Sequence, residues 1–266
     1  MATEPTESPL SDRLTFLGHS TVLIEMSGTR LLTDPVLGHV MWSLRRRAAR
    51  APASRLADVD AVFISHGHFD HLDLPSLRAL PGRPDVIVPA GLGRVVQRAG
   101  LGHVHEVHIG DRLSIGGVEI EVVAAAHGGR RWPWSAAADA IGCLISASSS
   151  VYFAGDTDLF PEMAALAGRV DVALLPVGGW GPRLGRGHLD PRRAAEAAAL
   201  IRPAVAVPIH WGTLSPIGLH RLIGNRFDAP GQAFAHAVAQ YAPDVRVRVL
   251  APGGSIALQD RNVPAE

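Results

Sequence analysis

Positions 66 to 71 read His-Gly-His-Phe-Asp-His, which places four metal-ligand side chains, His66, His68, Asp70 and His71, within six residues. Three imidazoles and a carboxylate held this close repel or desolvate one another unless a cation gathers them. Neutral imidazole nitrogen and carboxylate oxygen are natural donors to a transition metal. The chain has 13 His, so an isolated pair would mean little more than a surface or core hydrogen bond. Four donors in one hexapeptide form a motif. Further donors follow downstream: His127 ends the apolar run 120–126, Asp156 follows the run 151–155, and His210 follows the run 204–209. Each comes directly after a strand-like segment and close to a glycine (Gly128, Gly155, Gly212) that permits a tight turn. Donors on the loops leaving strands are held by rigid backbone and still reach a cleft.

The elements that must carry them can be read from apolar patterning. Residues 14–17, 21–26, 30–33, 61–65 and 85–88 read as strands in the first half, and 76–80 and 91–99 as short helices. In the second half, 118–124, 140–146, 150–154, 172–175, 204–209 and 245–250 read as strands. Residues 191–201 read as a helix, with Asp190 as N-cap, Pro191 in the first turn and Pro203 preventing continuation. A second helix is expected over 230–241. Pattern alone gives α/β or α+β, with short strands followed by loops or helices in two β-rich halves.

The chain has 266 residues, 47% of them hydrophobic, with 25 basic against 25 acidic residues. That length can bury a sizeable core and fits one large domain, expected over 12–260 between a flexible N-terminus (1–11) and a C-terminal tail (261–266). Zero net charge argues against a general nucleic-acid binder. The single Cys143 excludes an internal disulfide and suits a reducing compartment; a small core residue in a strand is its simplest role. The polar first eleven residues lack the apolar core of a secretory signal. No stretch approaches the ~18 apolar residues of a membrane span. A cytoplasmic protein of unspecified oligomeric state is expected.

The motif HGHFDH with His127, Asp156 and His210 resembles the metallo-β-lactamase-fold hydrolase superfamily, over nearly the whole chain. The stretches 16–21 (FLGHST) and 32–35 (LTDP) are similar to the branch that holds ascorbate-6-phosphate lactonases and N-acyl-phosphatidylethanolamine phospholipase D-like enzymes. The runs 71–73 (HLD), 153–157 (FAGDT), 188–191 (HLDP) and 209–213 (IHWGT) lie closer to the phospholipase D-like side. The resemblance implies a four-layer αβ/βα sandwich and two divalent metal ions. His66, His68 and His127 would hold the first ion, and Asp70, His71 and His210 the second, with Asp156 bridging. Zinc is the first choice for an imidazole and carboxylate set, with manganese or iron compatible. Two cations sharing a water lower its pKa, so a bridging hydroxide is available near neutral pH.

Other residues take roles around that centre. Asp34 and His19 are candidates to accept from the far nitrogen of a ligand imidazole; His19 could instead contact substrate or make a structural hydrogen bond beside Gly18. His188, on a Gly-rich loop, is placed with Asp70 in the chemistry itself, as donor of a proton to the leaving group or, alternatively, as a helix-end cap. Trp132, Trp134 and Trp180 are expected as pocket walls. The arginine-rich segment 36–58 is either a solvated loop or an arm bordering the cleft that attracts an anionic substrate. The expected activity is hydrolysis of a phosphodiester in a small or lipid-like anionic substrate. A lactonase or carboxylic-ester hydrolase and a non-catalytic metal-binding protein are the alternatives.

Overall fold

The computed structural model describes residues 12–100, 103–129, 138–181, 184–218 and 229–258. Two seven-stranded sheets face each other. In the first, β1 (Arg13–Gly18), β2 (Thr21–Met26) and β3 (Thr29–Thr33) form an antiparallel meander. It continues in parallel through β6 (Ala61–Phe63), β7 (Asp85–Pro89) and β8 (Val104–Val107), and the late strand β17 (Ser255–Ala257) closes its other edge on β1. The second sheet runs in the order β16 (Arg246–Val247), β14 (Val205–Ile209), β13 (Val172–Pro176), β12 (Ser150–Phe153), β11 (Asp139–Ser146), β10 (Val118–Gly128) and β9 (Arg112–Ile115).

Alternation sorts the apolar side chains into three layers. Between the sheets, Leu14, Phe16, Val22, Ile24, Phe63, Ile120, Cys143, Phe153 and Leu174 pack as one cluster. On the outer face of the first sheet, Leu23, Leu32, Val62 and Val86 meet Leu77 of helix α1 (Leu74–Ala79) and Val96 of helix α2 (Gly93–Gln97). On the outer face of the second, Tyr152, Ala173 and Leu175 meet helices α3 (Pro191–Ile201) and α4 (Ala229–Tyr241). The result is the four-layer αβ/βα sandwich. Among the described residues, no helix is long and apolar enough to cross a membrane.

Local chemistry sets the helix ends. Asp190 caps α3 by accepting from Arg193 N at 2.9 Å, and Arg202 closes it in the left-handed conformation before Pro203. The buried face of α3 is largely alanine (Ala194, Ala195, Ala197, Ala198), so the helix lies close on the sheet. Asp73 caps α1 in the same way through Ser76 N at 3.1 Å, so that helix begins two residues earlier than the pattern suggests.

Several elements differ from expectation. Segment 36–58 contains β4 (Val40–Met41) and β5 (Leu44–Arg46), which join β15 (Leu214–Pro216) in a small third sheet. Strands this short are legible only where an apolar run surrounds them, as around β6, and the sequences VM, LRR and LSP of β4, β5 and β15 have none. The edge strands β8, β9 and β17 are likewise short, and only Arg246–Val247 of the stretch 245–250 pairs.

The sandwich positions the donors. Phe63 of β6 and Phe153 of β12 meet edge to face across the two sheets, centroids 6.2 Å apart at 88°, just before the loops bearing His66 and Asp156. Gly155 (φ +60°) lets those loops touch: a Cβ there would stand 2.6 Å from Ser65 Cβ. Gly18 (φ +113°) does the same for the β1–β2 turn, where a Cβ would meet the Thr213 methyl at 2.8 Å.

Candidate metal centre

Each donor leaves the end of a strand, and all of them converge on one edge of the sandwich. His66, His68, Asp70 and His71 follow β6, His127 sits at the end of β10, Asp156 follows β12, and His210 follows β14. The β10–β11 register slips between Ala124 and Gly128, which re-aims His127. Three non-glycine residues here hold left-handed backbone: His19 (φ 57°), Asp34 (φ 33°) and His210 (φ 62°). Strained backbone of this kind persists where surrounding contacts over-determine it. His210 N donates to His19 O at 2.8 Å, and His19 N donates to Thr213 Oγ1 at 2.7 Å.

The imidazoles are held by their outer nitrogens. His127 Nδ1 donates to Gly187 O and His210 Nδ1 to Gly178 O, each at 2.8 Å. His71 Nδ1 lies 2.6 Å from Asp34 Oδ2. Ser65 donates its hydroxyl to the same Asp34 oxygen at 2.6 Å, so His66 Nδ1, 3.0 Å from Ser65 Oγ, is the donor there. With Nδ1 turned outward to these partners in all four rings, the Nε2 atoms point inward. His66 Nε2 faces His68 Nδ1 at 3.0 Å, and His127 Nε2 faces the same atom at 3.2 Å. His71 Nε2 and His210 Nε2 stand 3.2 Å apart.

Asp156 lies between the two groups. Its Oδ2 is 3.1 Å from His71 Nε2 and 3.9 Å from His66 Nε2; its Oδ1 is 3.3 Å from His210 Nε2. That Oδ1 is buried without a hydrogen-bond partner, because His210 spends its proton on Gly178. Lone pairs facing lone pairs in a buried space call for a cation. The spacing fits one: donors about 2.0–2.1 Å from a tetrahedral ion stand about 3.3 Å from each other. His66, His68 and His127 form one donor group, and Asp70, His71 and His210, with His19 behind them, a second; Asp156 groups with His66 and His71 on one side and with His127 and His188 on the other. Such His/Asp clusters are the composition of a dinuclear centre.

Electrostatics prepare the donors. Burial holds His66 well below the usual imidazole range and brings His127 down to about 4, so both are neutral. Burial opposes ionisation of Asp70 and Asp156, yet neighbouring imidazoles keep both carboxyls well below the ordinary range. His71 is the exception: burial opposes its charge, but Asp156, Asp70 and Asp34 around it raise its pKa well above the usual value, so a cation bound here has to displace its Nε2 proton.

The remaining candidates divide by position. His19 is 1% exposed and stands behind Asp70, its Nε2 3.0 Å from Oδ2. Trp180 donates its indole N–H to the same oxygen at 3.0 Å and lines the adjoining cleft. His188 brings Nε2 to 3.3 Å from Asp156 Oδ2, while Nδ1 lies 3.2 Å from the carbonyls of Gly185 and Arg186. Trp132 and Trp134 lie outside the described residues. Segment 36–58 does border the cleft, but with Met41, Trp42 and Leu44. Arg46 instead turns inward, buried, and donates to Val36 O at 2.9 Å and to Leu17 O. Sequence reasoning missed Ser65, Thr213 and the carbonyls of Gly178 and Gly187. Only Ser65, directly before the motif, carries a local signal.

A family model described as "Beta-lactamase superfamily domain" matches residues 29–211. A metal-dependent hydrolase of Methanopyrus kandleri is 34% identical over 251 residues, spanning 91% of this chain and 98% of that protein. A metallo hydrolase of Ignicoccus hospitalis is similar in structure, with TM-score 0.70 and 25% identity over 92% of this chain and 97% of that one. An isothiocyanate hydrolase from Delia radicum gut bacteria shares the fold, with TM-score 0.68 and 20% identity over 92% of this chain and 99% of that one.

Proposed function

We propose that this chain, which belongs to the β-lactamase superfamily domain family, is a dinuclear metal-dependent hydrolase acting on a phosphodiester. The observation that carries this reading is the meeting of the His66, His68 and His127 group with the Asp70, His71 and His210 group around Asp156, whose Oδ1 is buried without a hydrogen-bond partner, beside an open cleft. When bound, two cations would supply an acidified water as nucleophile and positive charge for the developing anion. His66, His68 and His127 would hold one ion, Asp70, His71 and His210 the other, and Asp156 would span them. Zinc suits this nitrogen and oxygen set best.

The protein's own groups do the rest. Asp34 and Ser65 fix the tautomers of His71 and His66, and the carbonyls of Gly178 and Gly187 fix those of His210 and His127. His19 and Trp180 orient Asp70 through hydrogen bonds to one oxygen. His188 is the proton donor to the leaving oxygen: burial disfavours its charge, but the hydrogen bond to Asp156 raises its pKa, so a proton is held at Nε2. The phosphorus centre, rather than carbon, is favoured by the runs 188–191 and 209–213, which resemble the phospholipase D-like branch. Cys143, buried and unpaired in β11, is compatible with the cytoplasmic location we assign.

The test is turnover of bis-p-nitrophenyl phosphate, a lactone panel and p-nitrophenyl acetate by protein loaded separately with zinc, manganese or iron. Metal-dependent hydrolysis of the phosphodiester with the highest kcat/KM supports the reading. A lactone or ester preferred by an order of magnitude would move the reaction to carbon. Failure of every substrate with full metal content would leave a non-catalytic metal-binding protein.

A further inference from the structure

The donor cluster opens into a cavity whose opposite walls are Met41, Trp42, Leu44, Phe69 and Trp180. Resting on the hydrolase reading above, we propose that this cavity binds a compact uncharged apolar group of the substrate, one aromatic ring in size, next to the bond that is cleaved.

Three observations carry this. Continuity comes first: the same space is lined by His68, Asp70 and Asp156, so whatever fills it is attached to the reacting centre. The second is the wall itself. Trp42 is 71% exposed at a non-glycine left-handed position (φ 49°), its indole stacked on Phe69 with centroids 5.9 Å apart and planes at 22°. Trp180, which also lines the cavity, is anchored through its N–H to Asp70. Two indoles and a phenyl ring facing water beside a polar centre present aromatic faces on which a flat ring stacks. Size and charge come third. The volume is about 250 Å³, below the roughly 300–1,000 Å³ of pockets that hold drug-sized ligands, which favours one ring over long acyl chains. Among the described residues lining the cavity there is no Lys or Arg, the basic ring of His188 stands at the donor cluster against Asp156, and Arg46 of the bordering segment is committed to backbone carbonyls. Charge on the substrate therefore belongs at the donor cluster, and the apolar group belongs against the walls.

The experiment measures equilibrium binding of phenylphosphonate and methylphosphonate to zinc-loaded protein by titration calorimetry. Both probes offer the same anionic head to the donor cluster and differ only in the group that would meet the walls. Phenylphosphonate is expected to bind about tenfold or more tightly, the order expected for burying one ring. Dodecylphosphonate should gain nothing over it. Trp42→Ala, at a side chain too exposed to be needed for folding, should bring the phenyl and methyl affinities within about threefold without changing the methyl value. Phe69→Leu should cause a smaller loss in the same direction. Equal affinities in the unaltered protein, no measurable binding of either probe, a dodecyl preference, or a phenyl preference that survives Trp42→Ala would each overturn the proposal. A Trp42-dependent phenyl preference without turnover of any ester would uphold the pocket and remove the hydrolase reading. Turnover without that preference would do the reverse.

Discussion

The carboxylate of Asp34 accepts a hydrogen bond from Nδ1 of His71 at 2.6 Å, although 37 positions separate the two residues and both are fully buried. The same carboxylate accepts from Ser65 N at 2.7 Å and from the Ser65 hydroxyl, which in turn accepts from His66. One side chain from the end of β3 thus orients an imidazole in each donor group.

Asp34→Ala should therefore weaken metal binding about ten- to a hundredfold, the usual range for loss of a ligand's hydrogen-bond partner. It also leaves Ser65 N and His71 Nδ1 buried without acceptors, at about 1–3 kcal/mol each. Competition with a chromophoric chelator measures the first effect and denaturant unfolding of the metal-free protein the second. Unchanged metal affinity in a folded variant would show that Asp34 only braces the loop.

Metal content should approach two ions per chain by elemental analysis. His68→Ala and His210→Ala each remove a donor from one group and should lose about one ion. Asp156→Ala should lose more than either and abolish hydrolysis, since this carboxylate faces both groups. Normal metal content and rate in Asp156→Ala would reduce Asp156 to a turn residue.

His188→Ala should slow substrates with poor leaving groups by about a hundredfold to ten-thousandfold, the range of general-acid assistance, while an activated nitrophenolate leaves nearly unaided. Metal content should not change, which separates proton donation from ligand loss. Equal losses on good and poor leaving groups would assign the ring to binding.

The metal-free protein should lose stability as pH falls from about 6.5 towards 4. Burial lowers His127 from 6.5 to about 4 and His19 from 6.5 to about 3. In that window the unfolded chain takes up protons that the folded chain refuses, so stability rises with pH. His71 and His188 shift the other way; their contribution is complete below 6.5 and is lost only at higher pH, so it does not offset the acid loss. Unfolding midpoints of chelator-treated protein from pH 8 to 4 check this, with His127→Gln expected to flatten part of the slope. A flat profile between 6.5 and 4 would mean that these imidazoles titrate as if in water.

The donors were legible because metal chemistry leaves a local trace. Four ligands in six residues cannot be spread along one extended strand and still meet, so they mark a loop. The same holds for His127, Asp156 and His210, since an apolar β-branched run announces the strand that each one ends. The sandwich itself came from resemblance, because alternation places side chains on faces but does not say which strands pair.

Tertiary structure decided everything that depends on residues distant in the chain. Nothing beside Asp34 signals that it serves His71, nor beside Trp180 that it donates to Asp70, 110 positions away. Arg46 was indistinguishable from its exposed neighbour Arg45 until β5 paired with β15 and alternation turned one inward and the other to solvent. Pairing of β4 with β5 in the same small sheet sets Met41 beside Leu44 at the cleft, so a segment that reads as basic contributes an apolar wall. Sequence thus determined which chemistry the chain carries, because ligand identity is a property of single side chains. Only the fold decided what surrounds that chemistry, because orientation and neighbours arise from strand pairing between segments with no local code for each other.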